Sequence, residues 1–200
     1  MTIEIRAARP EDADACAAAH IEGWRNGYRH LLPDEFLDAP EFATQRIDRW
    51  RSWTWADEFV DAQLYVGELR GRVVGFGLCG RERSQPVCDQ ISVGTSRSPG
   101  APADASDRTT RGEVYAFYLH PDAWGTGVAP ALISRCQEHL RDIGFREAVL
   151  WVLRDNPRAR HFYENAGWSP TGREMMFEGP QATAKLTEPL PEIEYLTRFV

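Results

Sequence analysis

The sequence predicts an α+β fold of three layers (α/β/α), in which helices cover both faces of a mixed, mainly antiparallel sheet of six to seven strands. Segments with strand character alternate with helical segments along most of the 200 residues. Hairpins are expected at both ends of this series. Near the middle, a strand, a glycine turn and a helix follow one another directly over residues 113–132. These observations favour one sheet wrapped by helices.

The first half of the chain is expected to contain three strands and two helices. Pro10 marks the start of an alanine-rich first helix, and the second carries aromatic residues at mostly helical spacing. The dipeptide Arg70-Gly71 joins the last two strands as a hairpin turn. The expected segments are a strand at 2–8, helices at 10–28 and 40–56, and strands at 64–69 and 73–78.

The second half begins with a polar stretch, 92–112, which is rich in Ser, Pro, Asp, Gly and Thr. We expect it to form a long mobile loop. Gly144 then closes the longest helix of this half. We expect one domain over residues 1–200, because this length suits a single domain. The expected segments are strands at 113–119, 147–153, 173–178 and 193–199, and helices that end at Ile143 and span 157–166.

The net charge of −7, from 30 acidic and 23 basic residues, opposes general nucleic-acid binding, which needs a basic surface. A negative net charge is compatible with a cationic substrate such as an amine. It is equally compatible with a charge that only keeps the protein soluble. The four cysteines show no spacing typical of a metal site, so no metal is expected. No apolar run is long enough to cross a membrane, and the N-terminus is not a signal peptide. We therefore expect a cytoplasmic protein.

The segment from Val114 to Ala129 has the pattern of a phosphate-binding site. A β-prone run is stopped by His120-Pro121, and a glycine turn at 124–127 then opens an amphipathic segment. Glycines let the backbone approach a ligand, and the N–H groups and dipole of a helix N-terminus attract anions. The expected ligand is a diphosphate.

The spacing of the turn argues against the two familiar nucleotide loops. No Lys-Ser/Thr pair follows the turn, as a Walker A loop would require, and Gly125-x-Gly127 lacks the third glycine of a dinucleotide fingerprint. Such a turn is more often structural than phosphate-binding. An unrelated nucleotide-binding protein therefore stays an alternative at this point.

Two sequence blocks resemble motifs of the GNAT superfamily of acetyl-CoA-dependent N-acyltransferases. The first resembles the coenzyme A motif Q/R-x-x-G-x-G/A, with a tryptophan where Arg or Gln is usual. Pro130 also removes one N–H near the expected pyrophosphate. The second block, 156–168, matches the family signature N-x-x-A-x-x-F-Y-x-x-x-G-W/F at the expected distance. The first block reads Trp124, Gly125, Thr126, Gly127, Val128, Ala129.

The resemblance, which extends more loosely over most of the chain, implies how acetyl-CoA would bind. The sheet would splay between the strands 113–119 and 147–153, so that the thioester arm enters the gap. Residues 124–129 would hold the pyrophosphate. The backbone of Leu119 would pair with the pantetheine arm, and the amide of Phe117 would stabilise the carbonyl oxygen.

Asn156 has two expected roles. From the residues alone it is a helix N-cap, with Pro157 as the first helical residue and Gly167 ending the helix. The resemblance adds a contact from Asn156 to the pantetheine amide.

The catalytic residues implied by the resemblance are Glu113 and Tyr163. Glu113 would remove the proton of the amine, directly or through water, and Tyr163 would protonate the departing thiolate. Glu68 and His120 are weaker candidates for the base. Each main candidate also has an ordinary explanation, since a glutamate is common at the start of a strand and a tyrosine can simply pack a helix on a sheet.

The implied function is acetyl transfer from acetyl-CoA to a primary amine by direct attack in a ternary complex. The acceptor is expected to be a small-molecule amine or a protein N-terminus. The alternative is a non-catalytic acyl-CoA-binding module. The oligomeric state stays open, with a homodimer among the alternatives. Most of the following aromatic residues are expected in the core, with one or two at the acceptor site: Trp24, Tyr28, Trp50, Trp53, Trp55.

Overall fold

A seven-stranded sheet organises the structure, a computed structural model that describes residues 2–53, 61–83, 111–177 and 190–199. The strand order is β1-β2-β3-β4-β5-β7-β6, and every neighbouring pair is antiparallel except β4 and β5. The predicted mixed, mainly antiparallel sheet is confirmed. The strands are β1 Ile3–Ala7, β2 Gln63–Leu69, β3 Arg72–Arg81, β4 Arg111–Leu119, β5 Glu147–Leu153, β6 Ser169–Phe177 and β7 Leu190–Arg198.

Helices cover both faces of the sheet, as predicted. On one face α1 and α3 pack together, and their cluster joins Cys16 and Trp50 to Phe76 of β3. On the other face Cys136 of α4 packs with Tyr163 of α5. None of the described helices is long and apolar enough to cross a membrane. The helices are α1 Ala13–Gly27, α2 Asp34–Leu37, α3 Pro40–Ser52, α4 Val128–Asp142 and α5 Pro157–Asn165.

Several predicted boundaries were wrong. The strand β3 continues to Arg81 instead of ending at residue 78, and β7 begins at Leu190 instead of residue 193. The helix α3 ends at Ser52 because Trp53 takes a left-handed φ of 51°; the rest of the prediction, 54–56, lies outside the described residues. The predicted loop 92–112 ends two residues too late, since Arg111 and Gly112 pair with β5 and Gly112 pairs with β3 as well. Residues 92–110 lie outside the described part.

The outer strand β6 begins earlier than predicted, at Ser169, and the short helix α2 was not predicted at all. Most of β6 is exposed, so its sequence lacks the alternating apolar residues that mark a half-buried strand. It is defined by its pairing with β7 instead.

The parallel strands β4 and β5 separate soon after they meet. They pair only between Arg111–Glu113 and Glu147–Val149, although both strands continue for several residues. We call the gap beyond Glu113 and Val149 the wedge. Its position agrees with the splay that the family resemblance implies.

A β-bulge in β4 decides which side chains face each side of the wedge. Val114 pairs with Cys79 and Ala116 with Leu78, so Tyr115 is the extra residue. As a result, the side chains of Val114 and Phe117 both pack with α4 and α5. The side chain of Tyr118 packs with α1 on the other face.

Candidate active site

A pocket of about 320 Å³ occupies the wedge. One end reaches the glycine turn and α5, where Trp124, Gly125 and Asn156 border it. The other end reaches α1, where Trp24 and Tyr28 border it. The pocket therefore runs from one face of the sheet to the other.

The glycine turn is fixed by local hydrogen bonds. The amide of Trp124 donates to the carbonyl of Pro121 at 3.0 Å, and the Thr126 hydroxyl donates to the carbonyl of Ala123 at 2.6 Å. Gly125 and Gly127 have φ values of 73° and 92°, which favour glycine. At these two glycines a ligand would therefore meet the backbone and no side chain.

Four backbone donors at this turn have no acceptor in the described part of the protein. The amides of Gly125, Gly127, Val128 and Ala129 make no hydrogen bond within the described residues. Val128 begins α4, whose first amides lack intrahelical partners and carry the positive end of its dipole. Pro130 removes only one donor from this set. Val128 as a whole residue is fully buried, whereas Gly125 and Ala129 border the pocket.

A positively charged side chain lies beside the glycine turn, although residue 124 of the turn is itself an uncharged tryptophan. The guanidinium of Arg158 lies 3.9 Å from the centroid of the Trp124 ring, and both residues border the pocket. Arg158 is exposed on the first turn of α5, and it forms no ion pair within the described residues. The sequence interpretation missed it, although its place two residues after the predicted N-cap was a usable signal.

Asn156 is the N-cap of α5, as predicted. Its Oδ1 accepts a hydrogen bond of 3.1 Å from the amide of Ala159, and the residue is buried. This contact orients its side chain at the border of the pocket. Its contact with pantetheine stays a prediction.

The free edge of β4 faces the wedge. The amide of His120 donates to the carbonyl of Val74 at 2.7 Å, so by alternation His120, Tyr118 and Ala116 bond toward β3, up to the bulge at Tyr115. The amides and carbonyls of Phe117 and Leu119 consequently point away from β3 and toward the gap. This is the orientation that a strand-like contact with a ligand requires.

Tyr163 lies on the same side of the wedge. It is 8% exposed, and its hydroxyl makes no hydrogen bond within the described residues. Its ring meets that of Phe117 edge to face at 6.3 Å. Burial raises the pKa of the Tyr163 phenol well above its ordinary value. The hydroxyl therefore stays protonated near neutral pH and can donate.

Glu113 lies at the closed end of the wedge, where β4 and β5 last pair, and it is 1% exposed. Arg83 surrounds its carboxylate with the backbone amide at 2.9 Å, Nε at 3.1 Å and Nη2. Because Nε contacts both carboxylate oxygens, these donors make four hydrogen bonds, about as many as a carboxylate has acceptor positions. The sequence interpretation missed Arg83, because the whole of the long polar stretch separates it from Glu113 in the sequence.

The two weaker candidates for the base lie elsewhere. Glu68 accepts a hydrogen bond of 2.7 Å from Arg6 at the β1–β2 edge. The ring of His120 accepts one of 3.3 Å from the amide of Asp122, as a turn residue does. Neither side chain borders the pocket.

The opposite side of the wedge is aromatic and acidic. We call its side chains the α1 chamber, and they come from α1, β4, β6 and β7. Trp50, by contrast, is fully buried in the core, and Trp55 lies outside the described residues. The members of the α1 chamber are Trp24, Tyr28, Tyr118, Phe177 and Glu192.

No group of three His, Cys, Asp or Glu side chains in the described ranges could hold a metal ion.

A profile of the Acetyltransferase (GNAT) family matches residues 23–168. The chain belongs to this family. The match includes the glycine turn, the free edge of β4 and the helix α5, so the resemblance seen in the sequence is confirmed.

Two relatives illustrate how far the GNAT similarity extends. The uncharacterized N-acetyltransferase YuaI of Bacillus subtilis is 28% identical over 155 residues, which are 78% of this chain and 74% of YuaI. The mycothiol acetyltransferase of Propionibacterium freudenreichii is 41% identical over 174 residues, or 84% of this chain and 49% of that protein. This chain therefore spans only about half the length of the mycothiol enzyme.

Solved structures share the GNAT fold at low identity. The PaiA N-acetyltransferase of Thermoplasma acidophilum, solved with coenzyme A, has a TM-score of 0.66 at 14% identity and matches all of both chains. YncA of Salmonella typhimurium, a putative acetyltransferase solved with acetyl-CoA, has a TM-score of 0.63 at 19% identity over 99% of this chain and 94% of its own. At such identities the likeness establishes the fold alone.

Proposed function

We propose that this GNAT protein transfers the acetyl group of acetyl-CoA to a primary amine, by direct attack in a ternary complex. The observation that carries the proposal is the pocket that passes through the wedge and joins the glycine turn to the α1 chamber. The names of its relatives, and the coenzyme A and acetyl-CoA in its structural neighbours, support the same reaction.

The turn side of the pocket fits coenzyme A. The amides of residues 125 and 127–129 would receive the diphosphate, and Arg158 would supply the positive charge that position 124 lacks. Leu119 would offer its free backbone edge to the pantetheine arm, and Asn156 its side-chain amide. Acetyl-CoA itself supplies an activated acetyl group and a sulfur that leaves as a thiolate.

Two groups of the protein would assist the transfer. The Phe117 amide points into the wedge, where it can donate to the carbonyl oxygen as negative charge develops; one such donor is worth about 10²–10³-fold in rate. The Tyr163 hydroxyl can donate to the sulfur. Because the pKa of Tyr163 is raised and a free thiol titrates at about 8.5, this donation is best described as a strong hydrogen bond to the thiolate.

Glu113 would help to remove the proton of the amine through one bound water. The donors of Arg83 make four hydrogen bonds with its carboxylate, and a direct contact between the carboxylate and the amine would compete with all of them. This geometry favours the indirect route over direct contact between Glu113 and the amine.

A thiol-release assay with acetyl-CoA and a panel of primary amines tests the proposed reaction. We expect release that depends on the amine and matches the amount of N-acetylated product found by mass spectrometry. A non-catalytic acyl-CoA-binding module would instead bind coenzyme A in calorimetry and release thiol at the same slow rate with and without amine.

The variant Glu113→Gln is expected to lower the turnover number about threefold to tenfold, which is less than the ~10²–10⁴-fold typical of a general base in direct contact with the substrate. The loss should grow as the pH falls, because more of the amine is then protonated and removal of its proton limits the rate. The measurement is a pH–rate profile from pH 6 to 9, given per coenzyme A binding site.

This normalisation is needed because the Glu113→Gln change would leave Arg83 facing a neutral group, which costs about 3 kcal/mol of stability for a buried pair. A constant ratio between the two proteins across the pH range would assign Glu113 a structural role only.

The variant Arg158→Ala is expected to weaken coenzyme A binding about fivefold to tenfold at low ionic strength. The guanidinium is exposed, so the loss should shrink as salt screens its charge. Calorimetry at two salt concentrations measures this. Arg154→Ala, which removes an exposed arginine that does not border the pocket, is the matched control. Equal losses in the two variants would remove Arg158 from the cofactor site.

A further inference from the structure

The side chains of Trp124 and Arg158 form a pair beside the glycine turn. The central guanidinium carbon of Arg158 lies 3.9 Å from the centroid of the Trp124 ring, close enough for direct contact. The face of an aromatic ring carries negative charge density and attracts a cation at this distance. Within the described residues the guanidinium makes no hydrogen bond and no ion pair, so the ring is its one partner there.

Other arginines that contact aromatic rings have further partners. The buried Arg46, which lies near the rings of Trp24 and Phe42, donates to the carbonyl of Phe42 at 3.0 Å. Four more arginines contact a ring and also pair with a carboxylate: Arg81, Arg83, Arg135 and Arg173. Arg158 differs from them in the described part of the chain, because its N–H donors stay available to a ligand.

The surroundings of Arg158 are unfavourable for a cation without an anionic ligand. Arg158 is the second residue of α5, whose first turn carries the positive end of the helix dipole and contains no acidic residue. The start of α4, with the free amide of Ala129, borders the same pocket and adds a second positive helix end. A bound anion would stabilise all three positive features at once.

A tryptophan suits this position better than an acidic residue would. A carboxylate would occupy the donors of Arg158, neutralise its charge and repel a phosphate. The Trp124 ring has no net charge, so it can stabilise the guanidinium and leave the charge intact. The ring is also held in place, because it is half-buried and packs against a cluster of apolar side chains: Val74, Leu119, Ala123 and Val128.

From this geometry we infer that Trp124 is a positioning residue, which holds the guanidinium of Arg158 beside the glycine turn so that it binds the diphosphate of coenzyme A. The inference rests on the proposed use of this cofactor and adds a residue that acts through another. It gives a reason for the tryptophan at residue 124, where the family motif has Arg or Gln. An exposed arginine loses rotamer freedom when it binds, and a ring that orders it beforehand reduces this cost.

The variant Trp124→Leu tests the role of the ring. We expect it to weaken coenzyme A binding about threefold to fivefold at low ionic strength, the size of an exposed cation–π contact. Calorimetry at two salt concentrations should show that the loss shrinks at high salt, because it acts through the charge of Arg158. Trp124→Tyr keeps an aromatic face and should retain most of the affinity. A loss of the same size at both salt concentrations would assign Trp124 a packing role and overturn the inference.

A double-mutant cycle tests whether ring and guanidinium act together. In a protein that already carries Arg158→Ala, the change Trp124→Leu should have little further effect on coenzyme A affinity. Trp53→Leu is the control for the loss of a tryptophan, because Trp53 is half-buried and does not border the pocket. It should change neither the affinity nor its salt dependence. Losses that simply multiply in the variant with both Trp124→Leu and Arg158→Ala would overturn the inference.

The choice of ligand identifies the phosphate group. Dephospho-coenzyme A lacks the 3′-phosphate and keeps the diphosphate, so we expect it to give the same coupling between Trp124 and Arg158. Coupling with coenzyme A alone would place Arg158 at the 3′-phosphate and overturn the assignment to the diphosphate.

Binding measurements also separate this inference from the proposed reaction, because they require no turnover. Coupling between Trp124 and Arg158, without acetyl transfer to any amine, would support the inference and reject the catalytic function. Acetyl transfer together with independent losses in the two variants would support the function and reject the inference.

Discussion

Replacement of Gly125 by glutamate is expected to weaken coenzyme A binding by about 10²-fold or more. Gly125 borders the pocket with its unpaired amide, and a Cβ at this position meets no atom within 4 Å. The new carboxylate would therefore fit sterically and lie where the diphosphate is expected. Two like charges about 4 Å apart repel by roughly 4 kcal/mol near a protein surface, before screening by salt.

The variant Gly125→Gln separates charge from backbone strain. Gly125 has a φ of 73°, so any other residue costs about 1–2 kcal/mol at this position. Glutamine and glutamate share this cost and have nearly the same shape. Calorimetry should give a much larger loss of affinity for glutamate than for glutamine, and a loss that diminishes at high salt. Similar affinities for the two variants would place the diphosphate away from this turn.

The sequence was sufficient to predict the order of the main elements and the location of the turn. The strand β5 was predicted at its observed bounds, because a run of buried apolar residues between polar ends gives a clear signal. The exposed strand β6 gives no such signal, and its start was misplaced. The helix α3 was predicted too long, because a left-handed residue such as Trp53 is not evident from apolar spacing.

Residues of the site that are close in sequence to a motif could be predicted, and those brought in by distant elements could not. Asn156 and Tyr163 belong to one helix with recognisable ends, so their placement at the pocket follows from local structure. Arg83 and Glu192 reach the pocket only because β3 and β7 lie near β4 and β5 in the sheet. Strand order depends on long-range pairing, which no local pattern encodes.

The role of Glu113 illustrates what burial adds to a sequence motif. A glutamate at the start of a strand suggests either a solvated residue or a base. The structure instead buries it against Arg83, whose donors make four hydrogen bonds with the carboxylate. We therefore expect a modest contribution from Glu113, and we expect the larger catalytic effect from the buried hydroxyl of Tyr163.

Substitution of Tyr163 by phenylalanine is expected to slow the chemical step between about tenfold and 10²-fold in single-turnover experiments. The ring contacts with Phe117 and Trp168 would remain, and the hydroxyl makes no hydrogen bond within the described residues that could be lost. The melting temperature and coenzyme A affinity should therefore be unchanged. A thiolate is a tolerable leaving group, so we do not expect complete inactivity.

The pH dependence of this variant distinguishes the hydroxyl from a packing effect. Burial raises the pKa of Tyr163, so the phenol keeps its proton beyond the usual titration of tyrosine near ~10. The ratio of wild-type to Tyr163→Phe rates should consequently stay constant up to about pH 10, with no alkaline loss attributable to Tyr163. The hydroxyl would stabilise the departing thiolate. A thioester whose leaving thiol is more acidic needs less of this help, so it should bring the ratio of wild-type to Tyr163→Phe rates closer to one. Equal rates at equal stability would leave Tyr163 as a core aromatic and would favour the non-catalytic acyl-CoA-binding alternative.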